Sequence, residues 1–332
     1  MSAFGSRRAL RWLVPSAAAV VVIGGGAAAG TIIANADPSL PPRSAGQLLE
    51  DLHDVRVDGL SGTIVESADL GLPALGRMGA GAADLAGILG GVTTARIWQA
   101  GENRARVALL TSHGETDLIR DGANAWMWNS TDKLGSHLTL PIVPATPQEA
   151  ADAVLAAIDP ATGVSTTGAV EVAGRGAYEL VLHPTDPASL IGRVSLAIDA
   201  EHHLPLRVDV YPKNATNPAV RVAFQQISFA VPDREQFVFN PPPGTTMSEG
   251  NMPHRAVAPA VLGTGWTSVL TARLPAATGA ISFMPRVSGP WGSGHLFAGT
   301  VLSVLITDDG RVYAGAVTPQ RLYDVISRHQ PR

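Results

Sequence analysis

The sequence predicts an α+β protein: a curved antiparallel β-sheet, a half-open β-barrel covered by helices, with a small C-terminal β-β-α unit. Three observations predict it. Between Val164 and Ala230, short alternating runs follow one another, separated by turn residues such as Gly174-Arg175-Gly176 and Asp199-Ala200-Glu201, at the spacing of an antiparallel meander. Residues 117–129, DLIRDGANAWMWN, place an Arg120-Asp121-Gly122 turn between two strand-like runs, and Trp126 and Trp128, two positions apart, share one face. Helical periodicity is confined to a few segments that have their own start and stop signals.

The elements follow in order. Arg7, Arg8 and Arg11 precede an uncharged run from Trp12 to Ala36, and Ala34-Asn35-Ala36 ends it in an A-x-A pattern, so residues 1–36 read as a signal peptide or an N-terminal membrane anchor. Both readings put the rest of the chain outside the cytoplasmic membrane, secreted or anchored. Residues 37–43 form a polar linker. Ser44 is an N-cap, with Ala45, Leu48, Leu49 and Leu52 at helical spacing after it. Residues 60–70 read as a strand. Residues 71–91 mix Leu72, Leu75, Met78, Leu85, Ile88 and Leu89 with glycine and alanine, the pattern of a helical flap. Two hairpins follow, 93–101 with 103–110, and then the tryptophan hairpin. Thr146-Pro147-Gln148-Glu149 opens a helix with Ala150, Val154, Leu155 and Ile158 on its apolar face. The meander comes next, then QFVFNPPPGT at 236–245, an expected aromatic strand closed by prolines. After a polar stretch, residues 260–332 offer two strands joined by Asp308-Asp309-Gly310 and a helix opened by Thr318-Pro319.

Composition narrows the function. The chain has 332 residues, 45% of them hydrophobic and 16% charged, so a large core is available. The net charge is −4 with no basic block past the N-terminus, which argues against nucleic acid. Cysteine is absent, which removes disulfides, thiol catalysis and thiolate metal sites. There is no G-x-S-x-G elbow and no H-E-x-x-H, and His202-His203 would face opposite sides of a strand. No enzyme, cofactor or metal site is expected.

The segments 118–129 and Phe237-Val238-Phe239-Asn240-Pro241-Pro242-Pro243-Gly244 resemble two signatures of bacterial lipoprotein carriers of the LolA type: the strand, Asp-Gly turn and aromatic strand, and the closing F-x-F-x-P-P-x-G stretch. RseB/MucB-type periplasmic regulators share that architecture. The resemblance covers residues 44–247. It implies a half-barrel with an apolar cavity for the acyl chains of a lipid or lipoprotein. Leu72, Leu75, Met78, Leu85 and Ile88 would form the lid, and Trp98, Trp126, Trp128, Phe237 and Phe239 the wall. The alternative it implies is an envelope sensor that binds a membrane protein. The chain departs from the carriers at Gln99-Ala100-Gly101-Glu102-Asn103, where they place an arginine before Pro-Asn, and in carrying the tail.

Overall fold

The structure, a computed structural model, describes residues 40–53, 55, 57–71, 90–111, 114–139, 162–250, 260–273 and 284–329. The expected leader, the flap from Leu72 to Leu89 and the helix after Thr146 lie outside the described residues.

Among the described residues the first element is helix α1 (Ala45–His53). Ser44 and Gln47 cap it reciprocally: the Gln47 amide donates to Ser44 Oγ at 3.3 Å, and the Ser44 amide donates to Gln47 Oε1 at 2.9 Å. Twelve strands then follow: β1 (Gly59–Asp69), β2 (Gly90–Ala100), β3 (Arg104–Thr111), β4 (Gly114–Asp121), β5 (Asn124–Asn129), β6 (Leu134–Thr139), β7 (Thr162–Val172), β8 (Arg175–Pro184), β9 (Ile191–Asp199), β10 (Pro205–Pro212), β11 (Val220–Ser228) and β12 (Thr246–Gly250). They form one 12-stranded sheet in the order β12-β6-β5-β4-β3-β2-β1-β11-β10-β9-β8-β7. Every pairing is antiparallel except β12 on β6. Its two edges, β12 and β7, stay apart, so the sheet does not close. It does curl, because Val172 of β7 shares an apolar cluster with Phe224 of β11 although three strands lie between them in the sheet order.

One expectation is corrected here. Residues 236–245 are not a strand. Arg234–Phe237 is a 3-10 turn, and the chain runs on unpaired until β12. Pro241, Pro242 and Pro243 have no N–H to give a ladder, so pairing resumes only beyond them. The flap and the helix after Thr146, expected to cover the long sheet as well, lie outside the described residues; among those described, α1 is the helix that lies on it, against β7 and β8. It packs Leu48 and Leu52 onto Leu180, Leu182, Leu196 and Ile198, all of them almost fully buried.

The tail is richer than a β-β-α unit. The expected hairpin and helix are β17 (Ser303–Thr307), β18 (Arg311–Gly315) and α2 (Pro319–His329). With β13 (Ala260–Leu262), β14 (Val269–Arg273), β15 (Arg286–Gly289) and β16 (Gly292–Ala298) they build a 6-stranded antiparallel sheet, ordered β13-β14-β18-β17-β16-β15. Leu322, Val325 and Ile326 of α2 close its core over Val269, Trp291, Leu305 and Tyr313.

The tail is bonded to the long sheet at several points. Leu190 and Thr318 donate to Ala316 and Ala188, both at 2.9 Å, and Ser189 bridges to Val317. At the end of β1, the Thr300 amide donates to the Leu70 carbonyl at 3.0 Å, and at the start of β7, Trp266 Nε1 donates to Thr162 Oγ1 at 2.8 Å. Gly299 permits that approach, since a Cβ there would sit 2.6 Å from the Leu70 carbonyl oxygen. Phe297 and Val301 enter the same apolar cluster as Leu70, Leu180 and α1. Among the described residues no helix is long and apolar enough to cross a membrane.

Candidate functional site

Residues directly opposite one another in adjacent strands share a face, so the register sorts the side chains of β1 to β6 into two sets. On one face runs the row Ser61–Trp98–Arg106–Ile119–Trp126–His137–Glu249, with Asp117 and Trp128 opposite each other in the next row. On the other runs Gly62–Ile97–Val107–Leu118–Met127–Ser136–Ser248, flanked by Ile64–Ala95–Leu109.

The first face is polar-aromatic and is covered. The segment after β11 crosses it, and its 3-10 turn sits against β3 and β4. Phe237 is fully buried there, with the Arg104 guanidinium over its ring at 5.7 Å. Phe239 stacks on Trp126 at 6.4 Å between centroids, and Trp126 stacks on His137 at 5.3 Å. Arg106 lies over Trp98 at 5.3 Å and grips the buried Asp117 with two hydrogen bonds, Nη2 to Oδ2 at 2.8 Å and Nε to Oδ1 at 3.2 Å. The residues expected to line a cavity wall, Trp98, Trp126, Trp128, Phe237 and Phe239, are thus brought together on this one face. Trp126 and Trp128 do share a side, as their spacing requires. The expected lid residues, Leu72, Leu75, Met78, Leu85 and Ile88, lie outside the described residues.

The second face is apolar from Ile97 to Met127, with Arg120 beside Leu118 and serines at β6 and β12, and its covering changes along the row. Ile64 and Ile97 pack against the cluster of Val55, Leu60 and Phe224. Beyond them the row opens: Leu118 and Met127, side by side, are each 48% exposed, and Leu134 in the flanking row is 53% exposed. Sequence reading missed this set. Strict alternation along β4 pairs Leu118 with Arg120, and Met127 sits between two tryptophans that draw the eye to the other side. The usable signal was Val107, Leu118 and Met127 falling on the face opposite the tryptophans.

Across β1 the same face continues into the half covered by α1 and the tail. Glu66 stands at that junction, opposite Thr93 on β2 and Val222 on β11. It is 8% exposed and has no hydrogen-bond or ion-pair partner among the described residues. Burial raises its pKa to about 8, so its carboxyl is protonated at neutral pH. The acids of β8 and β9, half-buried Glu179 and buried Asp199, behave in the opposite way. Burial alone would raise Glu179, but hydrogen bonds from Thr167 and Ser195 and the charge of Arg207 outweigh it and hold it low. Asp199 is likewise held low against its burial, chiefly by Arg175, whose Nη2 donates to Oδ1 at 3.1 Å. Among the described residues there is no group of three or more His, Asp or Glu side chains placed to hold a metal.

No family model matches the chain, and no curated protein matches it in sequence. Among solved structures it is similar to the MucA/MucB complex of Pseudomonas aeruginosa, with 16% identity over 85% of this chain and 96% of that chain and a TM-score of 0.49. It is also similar to a LolA superfamily protein of Nitrosomonas europaea, with 10% identity over 60% of this chain and 99% of that one and a TM-score of 0.26. A putative outer membrane lipoprotein-sorting protein domain from Vibrio parahaemolyticus gives 10% identity over 58% of this chain and 97% of that one, with a TM-score of 0.24. The likeness is one of fold.

Proposed function

We propose that the chain is an extracytoplasmic, carrier-like protein that binds the acyl chains of a lipid or lipoprotein on the apolar face of β1 to β5. The observation that carries this reading is the open row of Val107, Leu118 and Met127, flanked by Leu134, on a sheet whose opposite face is covered. From β1 to β5 the row spans four strand spacings, about 19 Å, a length suited to an extended chain and not to a compact solute. Each methylene laid on it contributes about 0.8 kcal/mol, so a single chain gains several kcal/mol without any catalytic group. The aromatic residues on the other face would then be the support that fixes the shape of the sheet.

Native mass spectrometry of residues 37–332, purified without detergent and followed by solvent extraction, tests this. A stoichiometric acylated species supports the proposal. Protein that carries none, and ignores added lipopeptide, sinks it.

A second reading, an envelope sensor that docks a membrane protein, is favoured by the tail. A sheet bonded to the first through Leu190, Thr300 and Thr318 offers a rigid second surface. Crosslinking in cells that returns a membrane protein and no lipid would select it.

A further inference from the structure

We propose that Glu66 is the polar anchor of the apolar face: a neutral carboxylic acid that donates a hydrogen bond to the ester or amide carbonyl of an acylated ligand. This rests on the acyl-binding reading above and adds which part of the ligand is recognised. Glu66 lies where the covered half of the face meets the open half, so a chain lying along Ile97, Val107 and Leu118 would bring its polar end toward the junction. A carboxyl that is buried, 8% exposed and without a partner among the described residues keeps its hydrogen-bonding capacity for a ligand.

Among the described residues, no charge stands where it would use that capacity first. On β1 its same-face neighbours are Ile64 and Ala68. On β11 they are Val220, Val222 and Phe224, while Arg221 falls on the opposite face and donates to Asp209 Oδ1 at 2.6 Å. On β2, Arg96 falls on the opposite face, across from Thr63, and is exposed. The tail presents Phe297, Val301 and Val304 to the cluster that includes Ala68, and His295 is engaged through Nδ1 with the Met284 carbonyl at 2.9 Å. On α1, Asp51 is paired with Arg43, and Glu50 is exposed. Burial is the one cause of the raised pKa, to about 8, and a bound apolar chain would bury the group further.

The test is displacement of N-phenyl-1-naphthylamine by methyl decanoate and by decane from residues 37–332, at pH 6 to 9.5. Wild type should prefer the ester, and Glu66→Leu should lose about tenfold of that preference, the worth of one hydrogen bond to a buried partner. Glu66→Gln, which still donates, should keep the preference. Wild-type affinity for the ester should fall as pH rises through 8 and beyond, while that of Glu66→Gln stays flat. Infrared difference spectra of wild type against Glu66→Gln should show the carboxylic-acid carbonyl band at neutral pH, moving when the ester binds. This readout stands even if Glu66→Leu fails to fold. An ester preference unchanged in Glu66→Leu, a flat wild-type pH profile, or an infrared band indifferent to the ester overturns the anchor while leaving acyl binding intact. Displacement by neither compound overturns acyl binding and the anchor with it.

Discussion

The two halves of the long sheet meet along β1 and β11 and share a face, yet they treat that face in opposite ways. Over β8 and β9, Leu180, Leu182, Leu196 and Ile198 are sealed under α1 and the tail. Over β4 and β5, Leu118 and Met127 are half exposed. A sheet under selection for stability alone would cover both, since covering apolar surface is worth about 25 cal/mol per Å². The halves differ in electrostatics too. On the other face of the covered half, Glu179 and Asp199 are paired and ionised, whereas Glu66 at the edge of the open half has no partner among the described residues and is protonated. One half has the marks of a foundation and the other of a contact surface.

This comparison can be broken most sharply at Glu66. Unfolded, its carboxyl gives up its proton near 4.5. Folded, it keeps the proton up to about 8. Between those pH values the folded state holds one more proton, so stability is fully present below the lower value and lost as pH rises to the upper one. The loss should total about 5 kcal/mol. Urea unfolding across pH 4.5 to 8.5 should show a decline in wild type that Glu66→Gln removes. Equal slopes in the two proteins would mean that Glu66 is solvated like an ordinary glutamate.

Next in size is a deletion in the covered half. Leu196→Ala should cost about 4 kcal/mol, because α1 cannot collapse into the gap. Arg106→Ala should cost about 3 kcal/mol by leaving Asp117 buried without its partner on the aromatic face. Both are read by chemical denaturation at pH 7. The smallest effect sharpens the comparison: Leu118→Ser should change stability by no more than about 0.5 kcal/mol and yet weaken binding of an apolar ligand. A stability loss as large as that of Leu196→Ala would show that Leu118 is core and not surface.

Much of this organisation was legible in the sequence. The meander strands lie close to their expected limits, because alternation and turn residues are local signals. The cap at Ser44, the turn at Gly122 and the helix after Pro319 were legible for the same reason. Strand β6 escaped notice, since Leu134-Gly135-Ser136-His137 lacks β-branched residues and Gly135 is kept for the close approach of Met247. The closing strand was misplaced by about ten residues because phenylalanines drew attention where prolines forbid pairing. The strands β13 to β16 are short and irregular, and they depend on a core assembled from distant parts, Trp291 and Leu322 among them. The candidate site was half legible. Spacing put the tryptophans on one face, but which face lies open depends on where the chain after Ser228 returns, and no local pattern encodes that.

The pairing of β1 with β11 also governs the order in which the molecule can assemble. Ser61 is registered with Ser228 and Ala68 with Val220, so one edge of β1 waits until most of the long sheet has left the ribosome or the export channel. β12 waits longer still for its place beside β6. Contacts this distant in sequence make folding slow, and during that delay Ile64, Ile97 and Val107 present an unfinished greasy edge. A chain that crosses a membrane before it folds would therefore need a holding factor on the far side, and its yield on export should follow the supply of that factor more closely than its final stability.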